Sequence, residues 1–181
     1  MAAIRPASKP AEGFSPIAGS DARILILGSL PGQRSIAEQQ YYAHPQNVFW
    51  RIMEELFGAN GDYVDRCEQL VEARVALWDV LQSSLRPGSM DANIRLDSAR
   101  ANDFETFLNV HSDIQLIAFN GRKAEALFGR FVNFDARDDS IQRVRLPSTS
   151  PAYAAMSFSA KLALWRQAIG PAAEWSISRR R

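Results

Sequence analysis

Apolar residues gather into four short runs, at residues 23–28, 74–78, 115–119 and 142–146. The first three are almost uninterrupted, as in Ile24-Leu25-Ile26-Leu27, which is the pattern of strands covered on both faces of a parallel sheet. The fourth alternates through Arg143, Val144, Arg145 and Leu146 and suits an edge strand. Helical spacing fills the intervals. Phe49, Ile52, Met53, Leu56 and Phe57 make one stripe, and Phe104, Phe107 and Leu108 a second. Ala124, Leu127, Phe128 and Phe131 make a third, and Leu162, Trp165 and Ile169 a fourth. Asn102, with Glu105 three positions on, predicts an N-cap. Strands alternating with helices predict an α/β chain, a three-layer α/β/α sandwich on a central, mostly parallel four-stranded sheet. Residues 1–20 hold Pro6, Pro10, Pro16, Gly13 and Gly19 and predict no regular element, only a leader. The domain is then 21–170, with a basic tail at 171–181.

Composition narrows the chemistry. The 181 residues suit one domain. Cys67 is the only cysteine, which excludes a disulfide framework, a thiolate zinc site and a four-cysteine cluster. His44 and His111 are the only histidines, so no metal site is expected. The formal net charge of +1 gives no reason by itself to expect nucleic acid. Of the 21 basic residues, however, only Lys9, Lys123 and Lys161 are lysines. Arginine suits phosphate and base edges, although GC-rich coding gives the same bias. No apolar run or N-terminal hydrophobic core signals a membrane span or a secretory leader. A cytoplasmic protein is expected.

Ligands of parallel sheets bind beyond the carboxyl ends of the strands, so the post-strand loops hold the candidate chemistry. After the first strand comes Gly28-Ser29-Leu30-Pro31-Gly32, whose spacing matches no nucleotide-cofactor fingerprint. Then follows Tyr41-Tyr42-Ala43-His44-Pro45-Gln46-Asn47 before an apolar helix, where Asn47 is either an N-cap or a functional group. Asp79 ends the second strand inside an apolar run; it caps something or faces a ligand, since an unpaired buried charge is costly. Asn120-Gly121-Arg122-Lys123 places two cations at a helix start, where they either meet an anion or are merely solvated. Leu146-Pro147-Ser148-Thr149-Ser150-Pro151 offers hydroxyls and amides of the kind that position phosphates.

Together these segments resemble the uracil-DNA glycosylase superfamily, and within it the hypoxanthine-DNA (deoxyinosine) glycosylase branch. The agreement runs from about Ala22 to Ala168. It rests on Ile-Leu-Ile-Leu-Gly-Ser-Leu-Pro-Gly, Tyr-Tyr-Ala-His-Pro-Gln-Asn-Val-Phe-Trp, the Gly121-Arg122-Lys123-Ala124 turn and Leu-Pro-Ser-Thr-Ser-Pro-Ala. The chain departs from the uracil-processing pattern at two places. Leu30 stands where an Asp or Asn precedes the proline, and Leu146 where a His or Asn opens the second motif.

The resemblance implies hydrolysis of the N-glycosidic bond of a deaminated base, most of all hypoxanthine, flipped out of DNA to leave an abasic site. It implies Asn47 as the catalytic group, with His44 as a nearby acid/base candidate. The base would be held by Ser29 and Leu30 of the first motif, by stacking on Tyr42 rather than Tyr41, and by Asp79. An ionised Asp79 would accept from N1–H of hypoxanthine. Gly121, Lys123, Ser148, Thr149 and Ser150 would hold DNA phosphates, Tyr153 would be a wedge, and Arg179-Arg180-Arg181 would add nonspecific attraction. No cofactor or metal cluster is implied. The partner is DNA containing deaminated bases, and the expected protein is a monomer associated with the nucleoid. The alternatives are a glycosylase acting on uracil or xanthine, and a DNA-binding repair protein without chemistry.

Overall fold

The structure is a computed structural model that describes residues 9–133 and 140–177, the last seven as backbone. The arginines at 179–181 and the first eight residues of the leader lie outside the described residues. In chain order the first elements are β1 (Ala11–Glu12), β2 (Ile24–Gly28), α1 (Gln33–Glu38), α2 (Phe49–Phe57), α3 (Tyr63–Glu72), β3 (Val75–Asp79) and β4 (Leu81–Ser84). A 3₁₀ turn at Asp91–Asn93 follows, then β5 (Arg100–Ala101), α4 (Phe104–Val110), β6 (Leu116–Asn120), α5 (Arg122–Phe131), β7 (Gln142–Leu146) and α6 (Phe158–Ile177).

The central sheet has the order β3-β2-β6-β7 and is parallel throughout. Ile24, Leu25, Ile26 and Leu27 are wholly buried, which is why that run shows no alternation. Each such side chain contributes about 1.5–3 kcal/mol relative to exposure. From β2 the chain crosses to β3 in one direction and then returns past β2 to β6 and β7. Right-handed crossovers therefore put α1–α3 on one face and α4 and α5 on the other. Trp78, Phe104, Phe107, Phe119 and Phe128 interlock on the α4–α5 face. On the other, Phe49 of α2 meets Trp165 of α6 edge-on at 6.2 Å. The direction reverses between β2 and β6, and in open α/β sheets that reversal opens a crevice at the strand ends.

Several elements differ from the sequence pattern. Residues 9–20 are not simply irregular, because Ala11–Glu12 pairs with β4, and Ile17 exchanges both backbone hydrogen bonds with Leu77 of β3. A small antiparallel sheet, β1-β4-β5, has no counterpart in the predicted elements. Helices α1 and α3 were equally without a stripe, as each has one buried residue, Ser35 and Leu70. The cap of α4 is Asp103, which accepts from the Thr106 N–H at 3.0 Å, and not Asn102. Asn102 instead donates its amide to the Asp79 carbonyl at 2.8 Å.

Candidate active site

At the β2–β6 crevice, the strand-end loops and the segment before α2 enclose a cavity of about 150 Å³. A cavity of that size takes one aromatic ring. Gly28 ends β2 in register with Asp79. A Cβ at Gly28 would run into the Asp79 carboxylate and lie 2.8 Å from the Tyr42 hydroxyl, so only glycine lets these two side chains converge.

Asp79 is 4% exposed, and its Oδ2 has no hydrogen-bond partner. Burial pushes its pKa up to about 8; Asp91 adds to the rise and Arg86 opposes it. The carboxyl therefore carries a proton at neutral pH, in contrast to the ionised acceptor expected from sequence. A protonated carboxyl offers one donor and one acceptor, as an asparagine side chain does. Tyr42 has φ 54°, a left-handed conformation costing a bulky residue about 1–3 kcal/mol. Its ring stacks on Phe49 at 4.0 Å and 22°, and its hydroxyl is buried without a partner. Burial and the neighbouring Asp79 push the ionisation of that phenol upward, and the nearby Asn120 side chain opposes them. Tyr41 is tied elsewhere, its hydroxyl donating to the Ser15 carbonyl at 3.1 Å.

Asn47 lines the cavity at the entrance to α2. The N-cap of α2 is Val48 and not Asn47, but Asn47 Oδ1 accepts from the Phe49 N–H at 2.9 Å and so satisfies the first N–H of the helix. Support of the helix thus falls to the oxygen of this amide, while its NH₂ is the end that can donate to a ligand. His44 is exposed beside it, with Nδ1 accepting from the Gln46 N–H at 3.2 Å, which leaves Nε2 to carry the proton of the neutral ring.

Two residues at the site carried no signal in the sequence, Asp91 in the cavity lining and Arg86 behind the first-motif turn. Arg86, 8% exposed, donates to the carbonyls of Leu30, Pro31 and Gly88 and so clamps the first-motif turn. Asp91 accepts from the Ser29 hydroxyl at 2.7 Å, while the Ser89 hydroxyl accepts from the Gln33 N–H at 3.0 Å. Both belong to an excursion between β4 and β5 that reads as a Pro-Gly-Ser loop. A basic residue just before Pro-Gly, seated to clamp carbonyls, looks like any surface arginine.

Across the crevice, Asn120 accepts from the Thr149 N–H and donates to the Thr149 hydroxyl, both at 2.9 Å. Thr149 is 1% exposed, so this residue joins the β6 and β7 loops, contrary to the phosphate contact expected of it. Gly121 has φ 97° and lies against Ser148, where a Cβ would approach to 2.9 Å. The Ser148 and Ser150 hydroxyls accept from the N–H groups of Ser150 and Ala152, leaving their protons for an outside acceptor. A wider groove of about 680 Å³ adjoins, lined by Gly121, Arg122, Lys123, Arg145 and Tyr153 among others. Tyr153 is 40% exposed, with Lys161 donating to its carbonyl at 2.7 Å, and sits on the groove, away from the base-sized cavity. Among the described residues, no His, Cys, Asp and Glu group is placed to hold a metal ion, and no helix is long and apolar enough to cross a membrane.

The sequence profile of the Uracil DNA glycosylase superfamily matches residues 16–169. The chain belongs to that superfamily. A hypoxanthine DNA glycosylase of Methanosarcina barkeri is 37% identical over 116 residues, or 62% of this chain and 72% of the relative. Another from Methanosarcina acetivorans is 40% identical over 115 residues, with the same coverage of both chains. The solution NMR structure of a candidate uracil DNA glycosylase from Methanosarcina acetivorans superposes with a TM-score of 0.70 at 34% identity. That superposition covers 88% of this chain and 98% of the other. Within this superfamily member, Leu30 and Leu146 are 5% and 3% exposed, and neither can hold or deprotonate water.

Proposed function

We propose that this chain is a monofunctional DNA glycosylase that removes deaminated bases, hypoxanthine foremost, and leaves an abasic site. The observation that carries the proposal is the buried, unpartnered Asp79 carboxyl on the floor of a cavity sized for one ring. An orphaned buried polar atom costs about 1–3 kcal/mol, which a ligand edge would offset. The relatives called hypoxanthine DNA glycosylases supply the substrate class.

A stacked base is out of reach, so the nucleotide is flipped, at a cost of a few kcal/mol that is smallest at a mispair. Tyr42, backed by Phe49, covers one face of the base. The protonated Asp79 donates to O6 and accepts from N1–H, so it acts as asparagine would. Because its proton can sit on either oxygen, discrimination against adenine passes to a fixed donor, the Ser29 amide, which accommodates O6 and rejects an amino group. The Asn47 NH₂ donates to the charge growing on the departing purine, a preorganised contact of the kind that lowers such barriers. No lysine lines the cavity, and Lys161 is engaged with the Tyr153 carbonyl, which favours water over a Schiff base as nucleophile. Lys123, Ser148 and Ser150 hold the flanking phosphates, and the enzyme works as a monomer at the nucleoid.

The test is incubation of the purified protein with single- and double-stranded oligonucleotides containing inosine, uracil or xanthine, followed by alkali. Strand scission at inosine supports the proposal. Scission at uracil alone sinks the hypoxanthine assignment, and binding without scission at any base sinks the enzyme. A borohydride-trapped covalent adduct would overturn the monofunctional mechanism.

A further inference from the structure

The base-sized cavity and the cationic groove share three lining residues, Asp91, Asn120 and Ser148. On the glycosylase reading, on which this inference rests, the base occupies the first space and the phosphates the second. The sugar and its C1′ then lie where the two meet. Asn120 is occupied at both ends by Thr149, and Ser148 accepts from the Ser150 N–H. Asp91 is the one shared residue with a carboxyl group. Its Oδ1 accepts from Ser29, which fixes the plane of the carboxyl and leaves Oδ2 to a third party.

We infer that Asp91 is the catalytic carboxylate of this enzyme, holding the attacking water at C1′ and stabilising the sugar cation. The chain has no carboxylate in its first motif, where Leu30 is buried. The excursion between β4 and β5 delivers one to the same crevice from a different part of the sequence. In the reaction the C1′–N9 bond breaks and its electron pair leaves with the purine, which takes a proton from solvent. The water oxygen bonds to C1′, and the proton it sheds passes to Asp91. A carboxylate is also the group that best tolerates a neighbouring oxocarbenium ion.

The groups facing Asp91 suit the task. Burial raises its pKa overall, and the Ser29 hydroxyl, Arg86 and Lys123 limit that rise. Asp79 is the other carboxyl in reach, and the charge of Asp91 is one of the causes that raise its pKa. Two carboxyls in one site can divide the work, one meeting the base and the other meeting water, when their environments differ.

The test is single-turnover cleavage of an inosine-containing oligonucleotide across pH 5–9, with DNA affinity measured alongside. Asp91→Asn is expected to slow the chemical step by about 100-fold or more, with affinity for uncleaved DNA changed by less than about threefold. The rise in rate with pH on the acidic side, where Asp91 loses its proton, disappears in this variant. Asp91→Glu keeps that rise and recovers about tenfold of the loss. Ser29→Ala removes only the fixed plane and costs less than about tenfold. If Asp91 merely props the first-motif turn, Asp91→Asn and Ser29→Ala lose equally and the acidic limb stays; either result overturns the inference. If the unaltered protein itself releases no base from single- or double-stranded DNA, it is the glycosylase reading that fails.

Discussion

On the β2–β3 side of the crevice, Asp79 and Tyr42 hold buried polar atoms with no partner, and Arg86 is spent on carbonyls of the turn beside them. On the β6–β7 side, the Asn120 amide is matched at both ends by Thr149, and Arg145 pairs with Glu125 at 3.0 Å between exposed side chains. The first side is energetically expensive and the second is inexpensive. Unsatisfied buried groups cost stability, and exposed ion pairs contribute about 0–1 kcal/mol. The difference marks the first side as the reader of a ligand edge and the second as a scaffold that holds a chain in register.

Substitutions on the two sides should therefore fail in different ways. The largest effect is expected at Asn47. Asn47→Ala removes a donor to the leaving base and should lower the single-turnover rate by about 10²–10³-fold, with the protein still folded. It also removes the acceptor of the first N–H of α2, so melting should fall by the equivalent of about 1 kcal/mol. A rate within threefold of the parent, about 0.7 kcal/mol of barrier, would break the assignment.

Next comes Asn120, the staple of the opposite side. Asn120→Ala should destabilise by about 2–3 kcal/mol in urea unfolding, because the Thr149 N–H and hydroxyl are left buried. Its effect on activity should follow from the loop it releases and appear mainly in KM.

Asp79→Asn sharpens the contrast by pH. The folded pKa of about 8 lies above an unfolded value of about 3.9. Between those values the folded protein holds a proton that the unfolded chain lacks, so stability falls as pH rises and levels off above about 8. Asp79→Asn should lose that slope and exceed the parent by about 2–5 kcal/mol at pH 9, read from melting curves. Since asparagine keeps a donor and an acceptor, inosine cleavage at pH 7 should persist within about threefold. The parent's decline in rate above pH 8 should vanish. Retention of that decline in Asp79→Asn would assign it to another group.

The smallest effect is at Lys123, half-buried on the groove. Lys123→Ala should weaken DNA binding about uniformly across sequences and reduce the slope of log affinity against log salt by about 1. A change in base preference would contradict the division between the two sides.

The four long strands were legible because burial on both faces removes alternation, as in Ile24 to Leu27, while the edge position of β7 restores it at Arg143, Val144 and Arg145. The aromatic stripes of α2, α4 and α5 were legible for the same reason, since each covers the sheet. The small sheet was not, because two-residue strands such as Ala11–Glu12 and Arg100–Ala101 are too short to show a period. Asn102 and Asp103 are both good caps, and what separates them is a tertiary contact, the Asp79 carbonyl. At the site, Asn47, Tyr42 and Asp79 stood out as residue types unusual in their surroundings. Arg86 and Asp91 did not, because an arginine and an aspartate around Pro87 and Gly88 are what a solvated loop also contains. Their burial is decided by the turn they fold back upon. The protonation of Asp79 is likewise a property of depth, which no residue type reveals.

The backbone exchange between Ile17 and Leu77 bears on how the molecule behaves among copies of itself. A parallel sheet has two open sides, and each is a template on which another chain can grow. β7 carries exposed arginines at 143 and 145, charges that discourage an incoming strand. β3, wholly buried and apolar up to Asp79, carries no exposed charge, and among the described residues the segment through Ile17 pairs with its open side at Leu77. That segment works as a guard rail along the open side of the sheet, and through the Ser15 carbonyl it also holds Tyr41 at the cavity wall.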